Sequence, residues 1–422
     1  MGRGVAVVGA GYAGMAAAVT LAERGIPVTV FEAGPVPGGR ARRVISQGHE
    51  LDNGQHILVG AYRELWRILR TVGVPQDALL RLPLEIRYAK DFSFRALGFP
   101  APFDLLGGLL AAKGVSLGER LGAVRFLAAL KRARFRVEPD ISFLQLLKQH
   151  GQDGAIGRYL WAPVCVAALN TPIEQASANV FLAVLRDTLA GPPGSSDLLL
   201  PRVDLSRLFP EPAAEFVKSH GGEIRLRTTI QNLNELKFDA IIVAVGPHQL
   251  KQLLPDHAPE YSYQPIYTCY LQYPQRVNLP FPMLGLCEGL VQWVFDRGAL
   301  TGERGRLACV ISAQGDHQQM THDELAETCA RELRRTFPTL PAPQWSQVIA
   351  EKRATIACTS SLRRLNPDTG IEAVYLAGDY VDPEYPPTLE AAVRSGVRAG
   401  QRAIALTGFE SPWGRHLHDP AP

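Results

Sequence analysis

Apolar residues gather into short runs at three widely separated places: Val5-Ala6-Val7-Val8, Phe238 to Val245 (broken only by Asp239), and Val374-Tyr375-Leu376-Ala377. Runs of this length, bounded by glycine or polar residues, predict strands buried on both faces, as in a parallel sheet. Each gives way to glycine, at Gly9, Gly246 and Gly378. A fourth strand, Val28-Thr29-Val30-Phe31, follows the first after a helical stretch from Ala13 to Arg24. Elsewhere the period lengthens to that of helices. Residues 57 to 80 carry Tyr62, Leu65, Leu69 and Val72 in helical phase, and helices are predicted over 142–150, 154–168, 174–189, 205–220 and 322–337. Residues 83 to 102 are strand-like and aromatic. Ser116 and Glu119 have capping-box spacing and open a helix expected to reach Arg136. Its Leu117, Leu121, Val124 and Ala128 share one stripe, with Phe126 and Leu130 opposite.

Strands are also predicted at 223–230 and, as a second sheet, at 261–273, 289–295 and 307–312. Gly191-Pro192-Pro193-Gly194 interrupts the helices. Near Leu198 the chain is expected to return to the domain of the first sheet, and to return again from Glu351. A last helix from about Thr388 to Leu406 carries Ala392, Gly396 and Gly400, small enough for close backbone approach. The pattern predicts an α/β protein with a Rossmann-like dinucleotide domain assembled from three discontinuous segments, 1–80, 198–255 and 351–415. An α+β substrate domain, 81–197 and 256–350, is inserted between them. A chain of 422 residues is too long for one ordinary core.

Composition narrows the classes. Hydrophobic residues are 46% and charged residues 20%, as in globular proteins, and the net charge of +3 creates no field that would demand nucleic acid. No apolar run of about 18 residues exists to span a bilayer. The first strand begins too early for a signal peptide, so a cytoplasmic address is expected. The six cysteines are scattered with no CxxC pair and read as reduced. The histidines show no metal-ligand spacing, and no metal is expected.

Local chemistry changes the picture most between Gly4 and His56. Gly9-Ala10-Gly11-Tyr12-Ala13-Gly14 joins a strand to a helix, and Glu32 closes the next strand. That is the dinucleotide fingerprint in its proper context. Gly9 makes the tight turn, Gly11 leaves room for a pyrophosphate, and Gly14 lets helix and strand pack. The helix N-terminus offers free N–H groups to phosphate, and Glu32 can accept from ribose hydroxyls. Gly38-Gly39-Arg40 and Asp52-Asn53-Gly54-Gln55-His56 extend the unit further than a nicotinamide cofactor requires, which points to FAD. Cofactor contacts are therefore expected at Gly9, Gly11, Tyr12, Ala13, Gly14, Glu32, Ala33, Gly38, Gly39, Arg40, Asn53, Gly54, Gln55 and His56. In the second half they are expected at Gly246, Gly378, Asp379, Pro387, Thr388 and Leu389.

Both ends of this pattern resemble the FAD-dependent amine oxidase and phytoene desaturase superfamily. A closer resemblance, to the hydroxysqualene dehydroxylases, rests on Leu51 to His56 with Ala61-Tyr62 and on Leu169-Asn170-Thr171-Pro172 through Ala176-Ser177-Ala178. It rests equally on Ser196-Asp197-Leu198 to Leu208 and on Pro387-Thr388-Leu389-Glu390 with Ser395-Gly396. One departure is Arg363-Arg364-Leu365, where an arginine followed by proline is expected. The resemblance implies reductive removal of an allylic hydroxyl from hydroxysqualene to give squalene, a hydrophobic triterpenoid substrate and an unidentified electron donor. Such chemistry needs a proton for the leaving oxygen. Candidates for that acid are His56, Asp52, Tyr380 and Glu384. An oxidative carotenoid-type desaturase, an amine oxidase and a lipid-binding protein without chemistry are the alternatives. A triterpenoid substrate also implies peripheral contact with the cytoplasmic membrane. The helix from Ser116, with Arg120, Arg125, Lys131, Arg132, Arg134 and Arg136, reads either as a solvated helix packed on its neighbours or as such a contact.

Overall fold

The computed structural model describes residues 4–89, 91–99, 103–189, 191–382 and 385–407. The first sheet has five parallel strands in the spatial order Glu223–Arg225, Val28–Phe31, Val5–Val8, Ala240–Val243, Val374–Leu376. Three distant stretches of chain thus meet in one sheet. Val5–Val8 lies at its centre with all four residues buried, which is why its sequence is apolar without alternation.

The helix Tyr12–Ala22 is buried along its whole length. It lies against the sheet, the helix Pro210–Ser219 and the last helix, Leu389–Thr407. Small residues permit this. A Cβ added to Gly396 would stand 2.0 Å from the Ala13 carbonyl oxygen, and one added to Gly400 would stand 3.2 Å from that of Ala17.

The second sheet is antiparallel, in the order Met283–Gly285, Trp293–Asp296, Arg306–Ser312, Tyr263–Gln272, Trp345–Ile356. One face, with Tyr267, Cys269, Leu271 and Cys309, packs under Leu325, Cys329 and Leu333 of the helix His322–Thr336. The other face, with Tyr270, Phe295 and Ala308, packs with helical segments between 103 and 189.

Several elements differ from the sequence reading. Over 57–80 only Arg63–Thr71 is α-helical; Leu58–Val59 and Leu79–Leu82 pair instead with Leu198–Pro201. Gly73, at φ +77°, and Pro75 end the helix early. The 205–220 stretch divides at Phe209, where Pro210 opens a new helix, and the 223–230 strand stops before Arg227, which is left-handed at φ 53°. The twelve-residue strand Trp345–Ile356 has no counterpart in the sequence reading, and it carries the second sheet past residue 351. The helix opened by the Ser116 capping box runs Leu117–Arg132 and buries Ala123, Phe126, Leu127 and Leu130. Its Leu117 and Leu121 are exposed, so the side packed inward is the one opposite the stripe they begin.

Candidate functional site

Three glycines of the first turn are required for different reasons. Gly9 has φ +104°, and an added Cβ would lie 2.6 Å from the Ala244 carbonyl oxygen. On Gly14 a Cβ would lie 1.9 Å from the oxygen of Gly9. Gly11 is unlike both. Its φ of −71° suits any residue, and the nearest atom to an added Cβ is Gly39 Cα at 3.9 Å. The fold itself does not need glycine there. What the missing side chain leaves is open space at the N-terminus of Tyr12–Ala22, a helix with no side-chain cap and no acid in its first turn. A pyrophosphate fits that cradle, with the helix N–H groups and partial positive charge turned toward it.

The neighbouring turns complete the groove. Gly38 N–H donates to the Ala10 carbonyl at 2.8 Å, and a Cβ on left-handed Gly39 would meet Gly11 Cα at 3.1 Å. Glu32, at the end of its strand, accepts from Ala10 N–H at 2.8 Å and Gly34 N–H at 2.7 Å; Ala33 beside it is exposed. These two bonds fix the carboxylate at the rim and leave further lone pairs on its oxygens for a hydroxyl.

Gly378-Asp379 lies at the carboxyl end of Val374–Leu376, two strands from Gly9 in the same sheet. Arg40 joins the two ends of the chain: its Nη2 donates to Asp379 Oδ1 at 2.7 Å and its Nη1 to the Ala354 carbonyl at 2.6 Å. The arginine at the departure noted in the sequence, Arg364, donates to the Asp379 carbonyl at 2.9 Å. Gly378 N–H donates to Ser395 Oγ at 2.8 Å, tying this strand end to the last helix. That helix starts at Leu389, after buried Pro387, and Thr388 Oγ1 accepts from Ala391 N–H. Gly246 lies just past Ala240–Val243 and opens the helix Pro247–Leu253.

Between the two sheets runs the loop after His49–Asp52. Asn53 Nδ2 donates to the Arg40 carbonyl at 2.9 Å and to Glu351 Oε2 at 3.1 Å. Gln55 N–H faces Thr268 Oγ1, and Tyr270 O–H donates to the Asp52 carbonyl at 3.0 Å. Asp52 itself is buried. Its Oδ1 accepts from Leu205 N–H at 2.8 Å and its Oδ2 from Arg297 Nη1 at 3.2 Å. Burial pushes its pKa up to about 6, against the pull of Arg297 and that N–H. His56 donates through Nδ1 to the Gly54 carbonyl at 3.0 Å; burial, with Arg40 nearby, lowers its pKa. Tyr380 O–H donates to the Val245 carbonyl at 3.0 Å, and burial raises its pKa far above the usual phenol value. Glu384 lies outside the described residues.

Arg297 is absent from the sequence reading. It is 4% exposed and also donates to Gln55 Oε1 at 3.2 Å and Glu303 at 2.8 Å. Its position just past an apolar strand gives no hint of a partner 245 residues away. Tyr385 has a stronger mark: among the described residues its buried hydroxyl has no partner. Glu390, also buried, accepts from Glu64 and Leu65 N–H. Among the described residues no group of three or more His, Cys, Asp or Glu side chains is placed to hold a metal.

The hydroxysqualene dehydroxylase of Sinorhizobium fredii is 27% identical, over 96% of this chain and 100% of its own length. That of Rhodopseudomonas palustris is 28% identical, over 96% and 99%. An oxidoreductase from Methanosarcina mazei superposes with a TM-score of 0.72 at 15% identity, covering 94% of this chain and 99% of its own. The α/β fold and the FAD expected from the two glycine motifs both stand. A family model described as flavin containing amine oxidoreductase matches residues 12–404. The chain belongs to the flavin-containing amine oxidoreductase family.

Proposed function

We propose that this FAD-dependent oxidoreductase reductively removes the allylic hydroxyl of hydroxysqualene, giving squalene and water. The observation that carries the reading is the Arg40–Asp379 contact at 2.7 Å. It draws the end of the last strand to the turn that faces Gly11, so that one groove serves a long dinucleotide. Similarity to hydroxysqualene dehydroxylases along the whole chain supports the substrate class. Bound in its reduced form, FAD would supply the hydride, with electrons from a donor outside this chain.

The protein's own residues do the rest. Gly9, Gly11, Tyr12, Ala13 and Gly14 would cradle the pyrophosphate with Gly38, Gly39 and Arg40, and Glu32 beside Ala33 would accept from the ribose hydroxyls. Asn53, Gly54, Gln55 and His56, with Gly246, Gly378 and Asp379, line the path toward the second sheet. The Thr388-Leu389 helix start behind Pro387 would meet the flavin end. Cofactor binding falls to the segments 1–80, 198–255 and 351–415, and substrate binding to the remainder.

Hydroxide leaves poorly without a proton. Asp52 has both oxygens engaged, and Tyr380 donates to a backbone carbonyl. His56 and Glu384 remain, and His56 donates the proton as its imidazolium form. Its lowered pKa then makes the reaction faster toward acid pH, with the rate falling as pH rises through that value. His56→Gln should retain FAD, lower kcat by about 10²-fold or more, and abolish this pH dependence; an unchanged pH profile removes His56 from the role.

Transferring a hydrocarbon of about thirty carbons into water costs on the order of 20 kcal/mol, so the substrate passes to the protein from a bilayer. Among the described residues no helix is long and apolar enough to cross a membrane. Peripheral contact with the cytoplasmic face meets that requirement. The test is anaerobic product analysis from hydroxysqualene with reduced FAD. Squalene is the expected product. Its absence, with desaturation of a polyene by the oxidised enzyme, would establish the opposite hydride direction.

A further inference from the structure

Ten large apolar side chains are exposed among the described residues, and five of them, Phe99, Phe103, Leu110, Leu117 and Leu121, fall within residues 99–121. This stretch is a helical hairpin, Phe103–Ala111 packed on Leu117–Arg132, with Arg120 Nη1 donating to the Leu110 carbonyl at 3.2 Å. The second helix is apolar on two sides. Ala123, Phe126, Leu127 and Leu130 face the core. With 3.6 residues per turn, Leu117, Leu121 and Ala128 fall within an exposed arc of about 40° on another side, while Val124 at its edge is partly buried against the core. Arg125 and Arg132 border that arc on one edge, Arg120 and Lys131 on the other.

Charge is concentrated here as well. Residues 95–136 hold eight basic and two acidic side chains, against 36 and 39 in the rest of the chain. One of the two acids, Glu119, is engaged as the reciprocal cap of Ser116 and accepts from Ile156 N–H. An apolar stripe flanked by cations on an otherwise slightly acidic protein is complementary to a surface with an oily interior and phosphate headgroups.

Phe92, in the segment that the hairpin loop binds, packs on Tyr88 and Tyr159, which with Arg158, Leu286, Cys287 and Trp293 among others line a cavity of about 210 Å³. Tyr159 stacks on Phe92 with ring centres 5.7 Å apart. The hairpin loop is locked to that segment: Lys113 N–H donates to the Ser93 carbonyl at 2.9 Å, and a Cβ on Gly114 would lie 1.9 Å from the Asp91 oxygen. We propose that this hairpin docks on an anionic phospholipid bilayer. Phe99, Phe103, Leu110, Leu117 and Leu121 enter the acyl boundary, Arg125, Lys131 and Arg132 meet lipid phosphates while Arg120 ties the hairpin together through the Leu110 and Val115 carbonyls, and the aromatic cavity opens beside the leaflet. Only the cavity's use as an entrance rests on the triterpenoid reading; the docking does not.

The experiment is flotation of the FAD-loaded full chain with phosphatidylcholine vesicles, with and without about a third phosphatidylglycerol. The expected result is co-flotation with the anionic vesicles, weakened by salt. Leu117→Ser/Leu121→Ser and Arg125→Glu/Arg132→Glu should each lower the vesicle-bound fraction by about tenfold, with flavin absorbance and melting temperature as in the wild type. Both variants should turn over hydroxysqualene in detergent micelles at the wild-type rate and lose rate only in vesicles. A wild-type chain that stays with the soluble fraction, or variants that float as it does, would overturn the proposal. So would a wild-type dimer dissociated by the leucine pair, which would assign the stripe to a second copy. Flotation without turnover of hydroxysqualene would leave the docking intact and remove the substrate reading.

Discussion

The two sheets are held together internally by one kind of contact and joined to each other by another. Inside the parallel sheet and its helices, side chains are small and backbone meets backbone, as at Gly14 on Gly9 and Gly396 on Ala13. Inside the antiparallel sheet, large and sulfur-bearing side chains fill the space between sheet and helix, with Leu325, Cys329 and Leu333 over Cys269 and Cys309. Between the two, the joint on the Asp52–Gln55 loop is polar: Asp52 with Arg297, Asn53 with Glu351, Gln55 with Thr268, and Tyr270 on the Asp52 carbonyl. Apolar packing tolerates sliding, whereas directional bonds between charged and amide groups fix one register across the groove. The halves are packed for density and the seam is built for position.

Substitutions can separate these roles. The largest effect belongs to Gly14→Val, which drives a side chain into the Gly9 carbonyl and should leave no folded protein in a circular dichroism melt. Gly11→Val should be its counterpart: the apoprotein melts as the wild type does, but flavin absorbance is lost, because the new side chain fills the cradle alone. If both variants fail to fold, the distinction between the two glycines is wrong. Arg297→Met breaks the seam and strands Asp52 in a buried site. A loss of about 3–5 kcal/mol is expected from urea unfolding, with a smaller loss in the double variant carrying Asp52→Asn. A loss below 1 kcal/mol would mean that water reaches the pair.

The smallest effect concerns Glu390, at the start of the last helix, where burial lifts the pKa to about 7 in spite of two backbone N–H donors. A folded-state pKa above the unfolded one means that the native protein holds this proton more tightly. Stability from Glu390 is therefore complete below about pH 4.5 and is lost as pH rises through about 7. The wild type should lose on the order of 3 kcal/mol across that window relative to Glu390→Gln. Parallel pH curves for the two proteins would show that the shift is absent.

How much of this was legible in the sequence follows from how local each cause is. The central strands announce themselves because burial on both faces leaves an unbroken apolar run. Gly9, Gly11 and Gly14 are legible because turn, cradle and close contact lie within six residues. Trp345–Ile356 is not, since it is an edge strand of mixed burial whose Glu351, Lys352 and Arg353 hide any alternation. The Leu117–Arg132 helix carries leucine on both sides, so periodicity alone cannot say which side is covered. Arg297 was invisible for a simpler reason: its partner is fixed by the meeting of two sheets, and no local pattern records that meeting.

The seating of Gly396 on Ala13 has a consequence for how the molecule is made. Those residues are more than 380 positions apart, which at ordinary translation speeds means roughly 20 to 80 s between their emergence from the ribosome. Throughout that interval the oily N-terminal helix lacks its lid. A newborn chain therefore cannot close its coenzyme groove until Gly396 has been made, and a ribosome stalled before that residue would expose a sticky, flavin-free product for chaperones to shelter.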